Sequence, residues 1–326
     1  MIKVSIAIAA YNIEDYVSRC LESVVAQTLK DIEIIVVNDG STDNTLYKIQ
    51  NFGKVDDRIV VVNQKNKGLI EARKSALRVA KGEYILFIDG DDWLKLNCVE
   101  VLYNKAKLKE SDIVLFNSFR AFEDGRLEKY RSFEENLDLN SDNVKKILSG
   151  EIKANIWSKF IKLDFIKSNN IKYPSNITYA EDLATTASLF LYNPAVDIEE
   201  DNLYYYFQRA TSVSNVINNK VLEIPKAISF IKEILVERNL YESYKDEFEY
   251  LVYKHLFYYR IVDSNFYVDL HKQIYDEWNS HKININKNKY FLDFTSKLNT
   301  PIKLKQNIFM KNYRLGKLFN KILNLK

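Results

Sequence analysis

Three carboxylates fall within four residues, Asp89, Asp91 and Asp92 around Gly90, and they close the apolar run Tyr84-Ile85-Leu86-Phe87-Ile88. Acids this close repel, so at least one must hold its proton unusually tightly unless a cation or solvent relieves it. Oxygen-only ligands favour a hard divalent ion, Mg²⁺ or Mn²⁺, which commonly keeps waters and takes further ligands from a substrate phosphate. A plain solvated turn is the competing reading. A second acidic pair, Glu181-Asp182, stands before an apolar helical pattern, where the helix dipole favours acids for purely structural reasons as well. Asp39 taken alone reads as a helix cap and Arg73 as a surface residue.

Chemistry at such positions needs elements that deliver them. The run before Asp89 reads as a strand buried on both faces, which places the acids at a strand's carboxyl end, where open α/β sheets bind ligands. Val4 to Ala10, Ile32 to Val37 and Arg58 to Asn63 read as further strands. Helical patterns over Ile13 to Ala26, from the polar turn at Asn38 to Thr45 on to about Asn51, and over Leu69 to Ala80 alternate with them. Such alternation predicts an α/β fold with a mostly parallel sheet and flanking helices. Beyond a helix at Asn97 to Lys109 and a strand at Ile113 to Phe119, the pattern turns to α+β. It has a hairpin at Glu123-Asp124-Gly125-Arg126, a helix near Asp142 to Leu148, a helix from Glu181 to Tyr192 and a strand at Leu203 to Phe207. From residue 216 to 326 the chain reads as helical. The expected division is therefore 1–215 and 216–326.

Composition narrows the class. The chain has 326 residues, 47% of them hydrophobic, enough for sizeable cores. A net charge of +3 gives no reason to expect nucleic-acid binding. Two separated cysteines, Cys20 and Cys98, suit a reducing cytosol better than a disulfide scaffold. No leader and no run of apolar residues long enough to span a bilayer is read. There is neither a G-x-G-x-x-G after a strand nor a G-x-x-x-x-G-K, so dinucleotide and P-loop readings lose their main support.

Four segments in order resemble glycosyltransferase family 2, the inverting nucleotide-sugar enzymes of GT-A fold. They are Val4 to Asn12, Val36 to Asp43, Asn66-Lys67-Gly68 through Arg73 to Asp89-Gly90-Asp91-Asp92, and Tyr179-Ala180-Glu181-Asp182. The resemblance covers about residues 1–215. It implies a GT-A nucleotide-sugar-binding domain, with Asp39 on the base, most often uracil, and Ala9, Tyr11, Asn66, Arg73 and Gly90 around the donor. Asp91 and Asp89 would hold Mn²⁺ or Mg²⁺ on the diphosphate. Asp182 would be the base that deprotonates the acceptor hydroxyl, with Glu181 as acceptor contact or orienting partner. Tyr204 to Ser212 is similar to a segment that closes over the diphosphate, making Arg209 and Ser212 donor residues, although Phe207 and Thr211 stand where a basic residue and a glycine are common. Trp157 and Lys159 would line an acceptor groove.

The implied activity is metal-dependent inverting transfer of a hexosyl or N-acetylhexosaminyl group from a UDP-sugar to a hydroxyl of a cell-surface glycan or lipid-linked acceptor. Polysaccharide, lipopolysaccharide or capsule synthesis would be its setting. Two rivals stand beside it: a catalytically silent nucleotide-sugar-binding scaffold, and a nucleotidyltransferase, which would want a glycine-rich triphosphate loop that Ala9-Ala10-Tyr11-Asn12 does not offer. From Lys297 onward the chain carries eight basic residues and no acid. A helix from about Asn312 there has two readings: an interfacial helix on an anionic membrane, making the protein peripheral on the cytoplasmic face, or a core-facing helix with a basic edge. Donor sugar, linkage and oligomeric state have no motif.

Overall fold

The computed structural model describes residues 1–209, 219–263 and 268–324. The chain forms two compact units, the first from Met1–Asn143 and Glu151–Val216, the second from Val144–Gly150 and Ile217–Lys326.

The first unit is built on a nine-stranded mixed sheet. Strands β1 (Val4–Ala10), β2 (Ile32–Asp39), β3 (Ile59–Gln64) and β4 (Tyr84–Asp89) lie parallel in the order β3-β2-β1-β4. Helices α1 (Val17–Val25), α2 (Thr45–Gly53) and α3 (Leu69–Val79) connect them. All eight residues of β2 and five of the six in β4 are buried, as strands covered on both faces require. In α1, Val17, Cys20, Leu21 and Val24 repeat at helical spacing, and that stripe is the buried one. Each such aliphatic side chain contributes roughly 1.5–3 kcal/mol by leaving water.

Past β4 the order continues β8-β6-β9-β5, with β7 on the edge of β6. The elements here are β5 (Trp93–Leu94), α4 (Cys98–Lys109), β6 (Ile113–Phe122), β7 (Leu127–Tyr130), α5 (Asn143–Ser149), β8 (Lys159–Lys162), α6 (Leu163–Ser168), α7 (Glu181–Phe190) and β9 (Val196–Gln208). β8 runs antiparallel between β4 and β6, and β9 pairs parallel with β6 through register shifts around Asn117. The expected hairpin turn joins β6 to β7. Three strand segments were not expected from the sequence: β5, β8 and the first half of β9.

The second unit comprises α8 (Ile224–Glu237), α9 (Lys245–Val252), a ten-residue π-helical run (Tyr253–Val262), α10 (Val268–Ser280), α11 (Lys289–Ser296), α12 (Thr300–Lys311) and α13 (Tyr313–Asn324). Helix α5 is assigned to this unit as well. Its core is aromatic: Tyr253 meets Phe291 edge to face at 4.9 Å, and Phe257 packs against Trp278 at 5.4 Å. His255 and His271 are held neutral by burial, their pKa values pushed down to about 3 and about 4. They are packing residues. Among the described residues no helix is long and apolar enough to cross a membrane.

Candidate active site

Strand register assembles the acids. Ala9 of β1 is opposite both Val37 of β2 and Asp89 of β4, so the ends of three strands, carrying Ala9-Ala10, Asn38-Asp39 and Asp89, share one carboxyl edge. The turn after β4 requires glycine: a Cβ on Gly90 would stand 2.4 Å from Ile13 Cδ1 and 2.8 Å from the Ala9 carbonyl oxygen. With that hydrogen in place, Gly90 N–H donates to the Ala9 carbonyl at 3.1 Å and locks the turn to β1.

One guanidinium joins the two acidic motifs. Arg73, on α3 and only 4% exposed, donates from Nη2 to Asp89 at 3.0 Å and from Nη1 to Asp182 at 2.6 Å. Burial works against its charge, yet Asp182 and Asp89 together hold it above its ordinary range. Arg73 is thus buried between two carboxylates, not the surface residue that its place on α3 taken alone suggested. Asp89 is pushed up to about 6, first by burial and then by the charges of Asp182 and Asp91, against the pull of Arg73. Glu181 is pushed up to about 7 by burial and the Asp182 charge. Both acids open α7, whose preceding residue, Ala180, adopts φ +62°, a left-handed conformation that costs a non-glycine residue of order 1 kcal/mol or more.

Asp91 and Asp92 diverge. Asp91 remains partly accessible and is paired with Arg209 at 2.6 Å. Asp92 has no exposed surface; it accepts from Tyr204 Oη at 2.5 Å and from Phe207 N–H at 2.7 Å, so it fastens β9 to the turn. Burial drives its pKa well up, as do the charges of Asp91 and Asp89. Tyr204 Oη in turn accepts from Asp89 N–H at 3.3 Å. Sequence reading had not singled out this clamp.

Beside the turn, Arg19 of α1 donates to the Asp91 carbonyl at 3.0 Å. Its guanidinium lies 3.7 Å from the centre of the Trp93 ring and 4.2 Å from that of Phe207. Arg19, Trp93, Phe122, Glu123 and Tyr205 are among the residues that line a cavity of about 550 Å³ beside this turn. Trp93 and Tyr205 stack face to face at 5.1 Å.

The other expected residues fall as follows. Asp39 is 3% exposed and anchors the loop before α3, accepting from Gln64 Nε2 at 2.7 Å, Lys67 N–H at 3.0 Å and Gly68 N–H at 2.8 Å. Asn66 on that loop is exposed, and its backbone presses on Gly40, where a Cβ would meet Asn66 N at 2.5 Å and φ is +74°. Tyr11 is 49% exposed at the same edge as Ala9. Ser212 lies outside the described residues. Trp157 and Lys159 require a correction, because neither is presented to an accessible groove. Trp157 is 5% exposed and stacks on Tyr204 at 4.7 Å. Lys159 has no exposed surface, its ammonium donates to Lys153 O, Asn155 Oδ1 and Ser158 Oγ, and burial lowers its pKa to about 7.

Among the described residues no cluster of three or more His, Cys, Asp or Glu is placed to hold a metal unaided. Asp89 and Asp91 offer oxygen donors only, and Asp89 is raised by burial and then by the charges of Asp182 and Asp91. That donor set fits a hard divalent ion that completes its shell with water and a diphosphate.

Comparison with known proteins gives a consistent neighbourhood. The model of glycosyl transferase family 2 matches residues 5–166. Glycosyltransferase GlyG of Streptococcus pneumoniae is 34% identical over 218 residues, covering 64% of this chain and 72% of GlyG. The cholesterol galactosyltransferase of Borreliella burgdorferi is 31% identical over 269 residues, 77% of this chain and 74% of that protein. Poly(ribitol-phosphate) beta-glucosyltransferase of Bacillus spizizenii is 34% identical over 208 residues, 63% of this chain but 32% of its own length. Among solved structures, S. aureus TarS 1-349 in complex with UDP-GlcNAc aligns with TM-score 0.60 and 20% identity over 93% of this chain and 79% of that chain, a likeness of fold.

Proposed function

The chain belongs to glycosyl transferase family 2 and is a glycosyltransferase; from that premise we propose that it transfers a sugar from a UDP-sugar to a hydroxyl of a cell-surface glycan, with inversion and with help from a divalent ion. The observation that carries the reading is the Arg73 bridge, which holds Asp89, on the donor side, and Asp182, the candidate base, on two arms of one guanidinium.

Asp182 is the group suited to take the acceptor proton. Its Oδ1 is held by Arg73 at 2.6 Å and its Oδ2 accepts a long 3.4 Å contact from Ile156 N–H, a geometry that suits a carboxylate taking a hydroxyl proton. Glu181, half protonated near neutral pH, orients the acceptor or buffers the pair. Arg209 beside Asp91 is planar and permanently charged, suited to the oxygens of a departing diphosphate. A divalent ion bound at Asp91 and Asp89 would supply neutralising charge for that leaving group. With Asp182 as the base, a single displacement would invert the anomeric centre, by the logic established for glycoside hydrolysis.

The UDP donor is supported by the fold shared with a TarS structure holding UDP-GlcNAc, and the surface-glycan acceptor by the relative named for poly(ribitol phosphate). The cavity of Arg19, Trp93, Tyr205 and Phe122 suits an acceptor sugar, because aromatic faces match the apolar face of a sugar ring and Arg19 supplies hydrogen-bond donors. A UDP-release screen over a panel of UDP-sugars, with and without EDTA, followed by NMR of the product anomer, tests the reading. Turnover indifferent to both EDTA and Asp91→Asn removes the metal, and a retained anomer removes the single displacement.

A further inference from the structure

Helix α13 is amphipathic, yet it packs with the wrong side inward for a core helix. At 100° per residue, Leu315, Leu318 and Ile322 share one face, and Tyr313, Gly316 and Lys317 fall on or toward the other. Gly316 is buried hard against α12: a Cβ there would stand 2.3 Å from Phe309 Cδ1. Tyr313 packs on Tyr275 at 4.8 Å, and its hydroxyl is 3.1 Å from His271 Nδ1. Asn312 caps the helix through Leu315 N–H at 3.1 Å. These contacts anchor the small and polar side. Leu315, Leu318 and Ile322 are left 57%, 58% and 52% exposed.

Burying such a stripe is the ordinary source of a helix's stability, so a partner must be found for it outside this fold. The charge around it names the partner's sign. Arg314 and Lys321 are exposed on the flank of the stripe, and no acid follows Lys297 in sequence. We infer that α13 lies on an anionic lipid surface, Leu315, Leu318 and Ile322 entering the headgroup boundary and Arg314 and Lys321 facing lipid phosphates. Apolar insertion and attraction to anionic lipid then act on the same helix. The inference rests on the second unit alone and stands apart from the reading of the active site.

The test is co-sedimentation of the full chain with phosphatidylcholine vesicles, with and without phosphatidylglycerol. Wild type is expected to pellet with the anionic vesicles and to stay in solution with the neutral ones. The double variant Arg314→Gln/Lys321→Gln should lower the partition on the order of twentyfold, at about fivefold per basic residue. Leu315→Ser/Leu318→Ser/Ile322→Ser should abolish pelleting while leaving UDP release and thermal melting as in wild type. No pelleting of wild type with anionic vesicles, or equal pelleting with both compositions, overturns the inference. So does light scattering that gives a dimer which the Ser variant converts to monomer, because a second copy would then cover the face.

Discussion

Replacing Arg73 with Gln is the perturbation whose cost the structure allows to be worked out. Wild-type Arg73 is 4% exposed and serves two carboxylates, Asp89 and Asp182, whose side chains are 29% and 26% exposed. Breaking a buried pair by removing one partner costs about 3–5 kcal/mol, because the remaining charge is stranded. Here the stranded acids keep a quarter of their surface in water, so about 2–4 kcal/mol is the reasonable range. For a unit of this size that is a fall in Tm of roughly 5–15 °C. The sign with pH follows from Asp89. Its folded pKa, about 6, already exceeds the unfolded value of about 3.9 and rises further once Arg73 is gone. Protonation then relieves the repulsion, so the deficit should be largest above pH 7 and shrink as pH falls toward 5. Calorimetry across that range, with UDP release alongside, reads both consequences. The displaced base should cost kcat/KM on the order of a hundredfold, with partial rescue by Arg73→Lys. A Tm within error of wild type at pH 7.5, or a deficit that grows on acidification, would refute the bridge as the organiser of the site.

Other consequences are measurable with the same preparations. Asp89→Asn removes a carboxylate that destabilises the metal-free protein as pH rises from about 4 to about 6, so the variant should melt higher than wild type at pH 7, match it below pH 4, and lose donor turnover. Burial and the Asp182 charge raise Glu181 to about 7, so the rate should climb with pH through neutrality; Glu181→Gln should shift that limb downward, which a kcat/KM profile will show. Trp93→Ala should raise the acceptor KM about tenfold and leave the donor KM and acceptor-independent UDP release unchanged, since a stacked ring is worth of order 1–1.5 kcal/mol. Asp92→Ala strands Tyr204 Oη and Phe207 N–H and should lower stability by about 2–4 kcal/mol.

Much of the first unit was legible because its strands are long, apolar and punctuated: buried parallel strands read as unbroken runs, and the acids mark their carboxyl edge. β5 escaped because two residues carry no periodicity. The front of β9 escaped because Glu199-Glu200-Asp201 looks like a turn, whereas it belongs to a strand held to β6 through register shifts. The acids of the site were visible as a motif, but the Arg73 bridge was not. Arg73 and Asp182 are 109 residues apart, and nothing local in α3 announces a buried partner. Trp157 and Lys159 illustrate the converse: a family resemblance suggested a groove, and burial of both side chains shows that the ordinary tendency of Trp to pack had won. For α13 the sequence displayed two faces and a charge, but only packing could decide which face turns outward; Gly316 against Phe309 decides it.

The most direct measurement of the central claim is paired: UDP binding by calorimetry and sugar transfer by UDP release, for wild type and Asp182→Asn with the preferred donor and acceptor. Asp182→Asn should bind UDP with the wild-type Kd and transfer at least a hundredfold more slowly, the scale of a lost general base. Full transfer by Asp182→Asn would contradict the assignment and, with it, the role given to the Arg73 bridge.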